Sequence, residues 1–158
     1  DIMRIEGPHG DFFLREDSER PIILVATGTG FAPVKGIIEH ALEENIDREI
    51  HLFWGARTKD GLYMNDLAED WAKKNINLKY TPVLSRPDEN WQGIKGYVQD
   101  AVLATYPDLS EQEVYSCGLP EMVKTSYATF CKAGLTQDRF FSDAFEFAID
   151  SKKTKTSS

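Results

Sequence analysis

The chain has 158 residues, 41% of them hydrophobic and 28% charged, a composition typical of a single ordinary globular domain. No apolar run approaches the roughly 20 residues needed to span a bilayer, and no signal peptide opens the chain, so a cytoplasmic protein without a membrane partner is expected. A net charge of −8 disfavours nucleic acid as a partner. Two cysteines and three scattered histidines do not predict a metal site.

Apolar strands alternate with striped helices along most of the chain. The predicted strands cover residues 21–26, 49–56, 77–84, 113–118 and 139–148. Helical patterns of about 10 to 15 residues between strands indicate right-handed crossovers. The predicted fold class is therefore α/β, a doubly wound five-stranded parallel sheet with helices on both faces. Trp54, at the end of a strand, and Trp71, on a helical stripe, are predicted core residues.

The first strand leads into the sequence VATGTGFAPVKG, residues 25–36. Gly28 and Gly30 are expected to adopt positive φ and to let the backbone approach a pyrophosphate, while the next helix directs its free N–H groups at the anion. Ala32 is expected to provide part of the close helix-strand packing that a third glycine usually gives. Pro33 fits the first helical turn, where its missing N–H has no partner.

A second strand-to-helix turn, YSCGLPEM at residues 115–122, is predicted at the same edge of the sheet. Cys117 ends its strand, and the helix opens near Pro120. A buried cysteine is usually a small hydrophobic residue, so Cys117 has a site role and a core role as equal alternatives. Glu121 lies in the first helical turn, where the helix dipole stabilises a carboxylate with or without a function.

Five motifs in order, GTGFAP, WGART, LSRPDENWQGIKGYV, YSCGLPEM and FFSDAF, resemble the nicotinamide-dinucleotide domain of the ferredoxin-NADP reductase superfamily. The resemblance covers about residues 20–147 and is strongest for the bacterial NAD(P)H-flavin and oxygenase reductases. It implies the pyridine-nucleotide half of a flavin-dependent reductase, with NADH or NADPH as cofactor and FAD held by another domain of the full-length protein. In that family, hydride passes from nicotinamide to flavin, and electrons continue to an iron-sulfur, haem or oxygenase partner.

The resemblance also divides the chain. Residues 1–18 resemble the last strand of a flavin-binding barrel followed by a linker, and residues 19–149 form the NAD(P)-binding domain. The polar residues 150–158 are predicted to be a disordered tail. Because the sequence opens with Asp1, a piece of a longer protein is expected.

Residue roles follow from the resemblance as well. The implied cofactor-binding residues are Gly28, Thr29, Gly30, Phe31, Pro33, Arg57, Ser85, Arg86, Lys95, Tyr97, Gly118, Leu119, Pro120, Glu121 and Met122. The implied catalytic residues are Cys117, beside the nicotinamide, and Phe145, facing the flavin. Relatives that bind the 2′-phosphate use a Ser-Arg pair, a second cation and a tyrosine, but such cations are also common on solvated surfaces, so NADPH and NADH are equal alternatives.

Three other functions compete with this one. A short-chain or 2-hydroxy-acid dehydrogenase needs a Tyr-x-x-x-Lys pair or a His-Asp relay, and the first of these is absent from the sequence. A flavodoxin-like nucleotide or FMN-binding module without reductase activity is compatible with the two threonines of TGTG. A protein-interaction domain that has kept the fold and lost the site is the third.

Overall fold

The computed structural model describes residues 14, 15 and 17–144, and they form a six-stranded parallel sheet. The order across the sheet is β4-β3-β2-β1-β5-β6, and every neighbouring pair is parallel. The strands are β1 (Ile22–Thr27), β2 (Ile50–Ala56), β3 (Leu78–Leu84), β4 (Ile94–Lys95), β5 (Glu113–Gly118) and β6 (Phe140–Ala144). The order reverses at β1, so the sheet is doubly wound.

Four helices cover the two faces of this sheet. They are α1 (Phe31–Glu43), α2 (Asn65–Lys74), α3 (Val98–Thr105) and α4 (Pro120–Lys132). Short 3₁₀ turns cover Gly28–Gly30, Lys59–Gly61 and Gln137–Arg139. The apolar side chains of α1 and α2 pack in one buried cluster and those of α3 and α4 in another. Among the described residues, no helix has both the length and the apolar character needed to cross a bilayer.

The doubly wound parallel sheet predicted from the sequence is confirmed, but the predicted count of five strands is wrong. The additional strand, β4, has two residues in a segment predicted to be a polar loop. It pairs with β3 through Val83↔Ile94 and Leu84↔Lys95, and both of its side chains are exposed. Because such a short strand buries nothing, its residues carry no apolar pattern that sequence reasoning could detect.

A buried ion pair holds the segment before β1 against the amino edge of the sheet. Arg48 Nη2 donates to Glu113 Oε1 at 2.9 Å, and both residues are buried. Arg48 Nε donates to the Arg20 carbonyl at 2.8 Å, and Nη1 donates to the Arg15 carbonyl at 2.7 Å. Leu14 packs into the core on the α1 face. Leu14, Arg15 and Arg20 are thus fastened to this sheet.

Candidate functional site

The turn between β1 and α1 is built around two glycines that differ in what they require. Gly28 has φ +52°, and no atom lies within 4 Å of the place where its Cβ would be. Gly30 has φ −62°, so the positive φ predicted for it is wrong. A Cβ on Gly30 would overlap the Cys117 carbonyl and lie 2.8 Å from Gly118 Cα. Gly28 is therefore required for its conformation, and Gly30 for the close approach of two backbone segments.

The prediction that Ala32 makes the close helix-strand contact is also wrong, because Ala32 is exposed and Gly30 makes that contact. Pro33 is in the first turn of α1 as predicted, being the third residue of the helix. Gly30 is the N-cap residue and supplies no side-chain acceptor, and no acidic residue lies in the first turn. Neither a capping side chain nor a first-turn carboxylate therefore competes with an anionic ligand for the N–H groups at this helix start.

The turn between β5 and α4 interlocks with the first turn. Gly118 has φ +145°, and a Cβ on it would overlap Thr27 Oγ1 and lie 3.1 Å from the Thr27 carbonyl. The Leu119 N–H donates to Thr27 Oγ1 at 3.4 Å. Because β1 and β5 are neighbours, each turn thus packs on the backbone of the other strand's end. Sequence reasoning missed Thr27, whose role depends on a contact 92 residues away.

Two stacked aromatic rings in the core contact the first turn. Phe31 and Trp54 are fully buried, with ring centroids 3.9 Å apart and an interplanar angle of 8°. Trp54 Nε1–H donates to the Gly28 carbonyl at 3.3 Å. The prediction that Trp54 belongs to the core is confirmed, and the same holds for Trp71. Phe31, implied by the resemblance to bind cofactor, has no exposed surface, so its side chain serves the turn through packing.

Two side chains of the second turn face the core. Cys117 is fully buried in the apolar cluster on the α1 face. Met122 is buried on the opposite face, where its sulfur accepts hydrogen bonds from the Ser116 and Ser126 hydroxyls at 3.5 and 3.3 Å. The Cys117 thiol is therefore not accessible to a ligand at the edge of the sheet as the turn stands.

The remaining side chains of the second turn divide between core and surface. Pro120, the first residue of α4, is buried. Leu119 is 58% exposed, and Glu121 is exposed in the first helical turn. The exposed part of this turn therefore consists of an apolar side chain and one carboxylate, because Gly118 is buried as well. For Thr29, the structure describes the backbone, within the 3₁₀ turn, and Phe145 lies outside the described residues.

The residues predicted to bind the adenosine end lie at or just after the carboxyl ends of β2, β3 and β4. The Ser85 N–H donates to the Ala56 carbonyl at 3.0 Å, and the Arg86 N–H donates to the Arg57 carbonyl at 2.8 Å, so the two loops run side by side. Lys95 pairs with Leu84 in the sheet. Arg57, Arg86, Lys95 and Tyr97 are exposed, and Ser85 is half-buried.

A cavity of about 460 Å³ opens beside these loops. Of the five predicted residues, Arg86 lines it, together with Lys59, which was not among the predicted residues. Asp60 and Asp88 line the same cavity, so two carboxylates balance its two cations. The charge of the cavity wall therefore favours neither a phosphate nor a ribose hydroxyl.

A doubly wound sheet with glycine turns after two adjacent parallel strands defines a dinucleotide-binding α/β domain. Residues 24–127 match the family model described as an oxidoreductase NAD-binding domain. The chain belongs to this family. The resemblance to the ferredoxin-NADP reductase superfamily, and in particular to its flavin reductases, is confirmed by this match and by the relatives.

The chain spans about half the length of the curated relatives that it matches. The chain is 45% identical over 144 residues to a CDP-6-deoxy-L-threo-D-glycero-4-hexulose-3-dehydrase reductase of Yersinia pestis, covering 91% of this chain and 43% of that protein. It is 35% identical over 146 residues to an NAD(P)H-flavin reductase of Vibrio harveyi, covering 92% and 62%. The structure of a cytochrome P450 reductase of Amycolatopsis matches with a TM-score of 0.79 and 30% identity, covering 88% and 42%.

Proposed function

We propose that this chain is the pyridine-nucleotide-binding half of a flavin-dependent reductase. It holds NADH or NADPH so that hydride passes from the nicotinamide to a flavin, and electrons then leave for an iron-sulfur, haem or oxygenase partner. The FAD belongs to a further domain of the same reductase, joined through residues 1–18. The relatives that support this proposal include flavin reductases and a P450 reductase, each of which is longer than this chain.

The interlocked turns are the observation that carries the proposal. A dinucleotide pyrophosphate needs backbone free of side chains at a helix start, which Gly28 and the uncapped start of α1 provide. The second turn lies one strand further along the same edge, beside Gly30. It offers a place for the nicotinamide, with Leu119 and Glu121 exposed around it.

The adenosine end of the dinucleotide is expected on the other side of β1, at the loops after β2 and β3. Strands in a sheet are about 4.8 Å apart, so the ends of β3 and β5, three intervals apart, are separated by about 14 Å. An extended dinucleotide therefore reaches from the loops after β2 and β3 across the glycine turn to β5. In this arrangement Ser85, Arg86 and Lys95 contact the adenosine phosphate or ribose, and Tyr97, 63% exposed, stacks on the adenine.

Titration of the isotope-labelled chain with 2′,5′-ADP and, separately, with 5′-AMP tests this placement through backbone amide shifts. Tighter binding of 2′,5′-ADP with shifts at Ser85, Arg86 and Lys95 indicates an NADPH domain in which the cations bind the 2′-phosphate. Equal binding of the two indicates NADH as the donor. If neither ligand binds, the nucleotide site is refuted.

Arg86→Ala separates the two donors further. In an NADPH domain, it weakens 2′,5′-ADP binding at least about tenfold, equal to about 1.4 kcal/mol, because a charge-assisted bond to the phosphate is lost. Binding of 5′-AMP stays unchanged. Lys132→Ala is the matched control, because Lys132 is exposed in the last turn of α4, at the opposite edge of the sheet. An equal loss for both nucleotides removes the phosphate role of Arg86.

A further inference from the structure

Tyr63 has an unusual position for a large aromatic residue. It lies between the 3₁₀ turn after β2 and the start of α2, and it is 52% exposed. Its ring is nearly perpendicular to both rings of the buried pair below the glycine turn, at 5.2 Å from Trp54 and 6.1 Å from Phe31. These two distances differ by 0.9 Å, whereas the stacked rings are 3.9 Å apart. Tyr63 therefore lies beside the pair, along the edges of both rings.

This place adjoins both turns of the candidate site. Trp54 donates to the carbonyl of Gly28, and Phe31 directly follows Gly30. Burial raises the pKa of the Tyr63 phenol, and the nearby Cys117 thiol raises it further. Tyr63 is thus close to the ends of β1, β2 and β5 at once, although it belongs to none of these strands.

A purely structural role does not account for the exposure of this ring. Phe31 and Trp54, which do the packing, have no exposed surface. Within the part of the chain that the structure describes, the Tyr63 hydroxyl makes no hydrogen bond that would fix the ring at the surface. About half of this aromatic side chain is therefore left exposed beside the ring pair that contacts the glycine turn, where a flat ligand ring can contact it.

We propose that Tyr63 forms one wall of the nicotinamide subsite and stacks on the nicotinamide ring when the dinucleotide binds. This inference rests on the proposed function and adds to it a residue from the loop after β2, outside both glycine turns. Aromatic rings stack favourably on flat heterocycles, and a ring already held on one side by two buried neighbours loses little freedom when it does so.

The experiment compares two ligands that differ by the nicotinamide ring alone, because ADP-ribose keeps the ribose that carries this ring in NAD⁺. Binding of NAD⁺ and of ADP-ribose is measured by calorimetry for the wild type, Tyr63→Ala, Tyr63→Phe and Met64→Ala. Met64 is the matched control because it is the adjacent apolar side chain and is 37% exposed. Thermal unfolding of each variant separates a loss of folding from a loss of contact.

We expect Tyr63→Ala to weaken NAD⁺ binding about fivefold or more and to leave ADP-ribose within about twofold of the wild type. Tyr63→Phe keeps the affinity for NAD⁺, because the ring is retained, and Met64→Ala changes neither ligand. An equal effect on both ligands, no effect on either, or tighter NAD⁺ binding overturns the role of Tyr63 and leaves the proposed function standing. If the wild type binds neither ligand, the proposed function itself is overturned, and this inference with it.

Discussion

Replacing each of the two glycines of the β1–α1 turn by alanine adds one methyl group under different constraints. At Gly30 the new Cβ would collide with backbone, because it overlaps the Cys117 carbonyl and lies 2.6 Å from its carbon. Backbone inside a sheet cannot swing aside as the end of a flexible side chain can. At Gly28 no atom lies within 4 Å of the new Cβ, and the cost comes from φ +52° alone.

These constraints predict different losses of stability for the two variants. A left-handed conformation costs a non-glycine residue about 1 to 2 kcal/mol, so Gly28→Ala should lower the melting temperature by about 2 to 8 °C. Overpacking against a well-packed region costs about 1 to 3 kcal/mol and occasionally more, and a collision with backbone belongs at the upper end. Gly30→Ala should therefore cost about 3 kcal/mol and lower the melting temperature by about 6 to 12 °C.

Thermal unfolding followed by circular dichroism gives the melting temperatures, and dinucleotide titration gives the binding constants. Gly30→Ala should also weaken dinucleotide binding at least about tenfold, because β5 and the turn are pushed apart. Gly28→Asn should recover part of the stability lost in Gly28→Ala, since asparagine tolerates positive φ better. A Gly30→Ala variant that melts within about 1 °C of the wild type would refute the close backbone approach on which the site depends.

Two further predictions concern the amino edge of the sheet. Arg48→Met leaves the buried Glu113 carboxylate without its cation and should lower the free energy of unfolding in urea by about 3 to 5 kcal/mol, with most of it restored by adding Glu113→Gln; a loss below about 1 kcal/mol contradicts this. Burial, and then Lys79, lowers the pKa of His51 from 6.5 to about 4. Below about pH 6.5 the unfolded chain therefore binds a proton at His51 that the folded chain does not bind until the pH falls toward 4. The free energy of unfolding is for this reason unaffected above about pH 6.5 and falls by about 2 kcal/mol between pH 7 and 5. His51→Gln should lack this dependence, and equal pH profiles for the two proteins would disprove it.

The strands were predictable because parallel strands buried on both faces are continuous apolar runs between polar boundaries. β1, β2 and β3 begin within one residue of the predicted starts, and β5 has the predicted bounds. The same reasoning could not find β4, whose two residues are exposed and pair through the backbone alone. Sequence patterns report burial, so an element that buries nothing is invisible to them.

The positions of the two turns were predictable, but the reasons for their residues were not. A glycine in a sequence does not reveal whether it is needed for its φ angle or for space, and Gly28 and Gly30 have opposite requirements. Thr27 and Trp54 act on the turn through contacts that only the folded sheet creates. Phe31 could not be told apart from a cofactor contact either, because the first residue of such a helix can face the core or the ligand.

The interlocked turns imply that the two halves of the dinucleotide site are not independent. Gly30 touches the backbone at Cys117 and Gly118, and Thr27 receives the Leu119 N–H. A displacement of either turn therefore moves the other, since the first contact joins backbone to backbone and the second ends on the short side chain of Thr27. A ligand fragment that orders the pyrophosphate end also orders the turn proposed for the nicotinamide. Binding of ADP, which ends at the pyrophosphate, should then shift the backbone amides of Gly118 and Leu119, and amide shifts confined to the β1–α1 turn would show that the turns move separately.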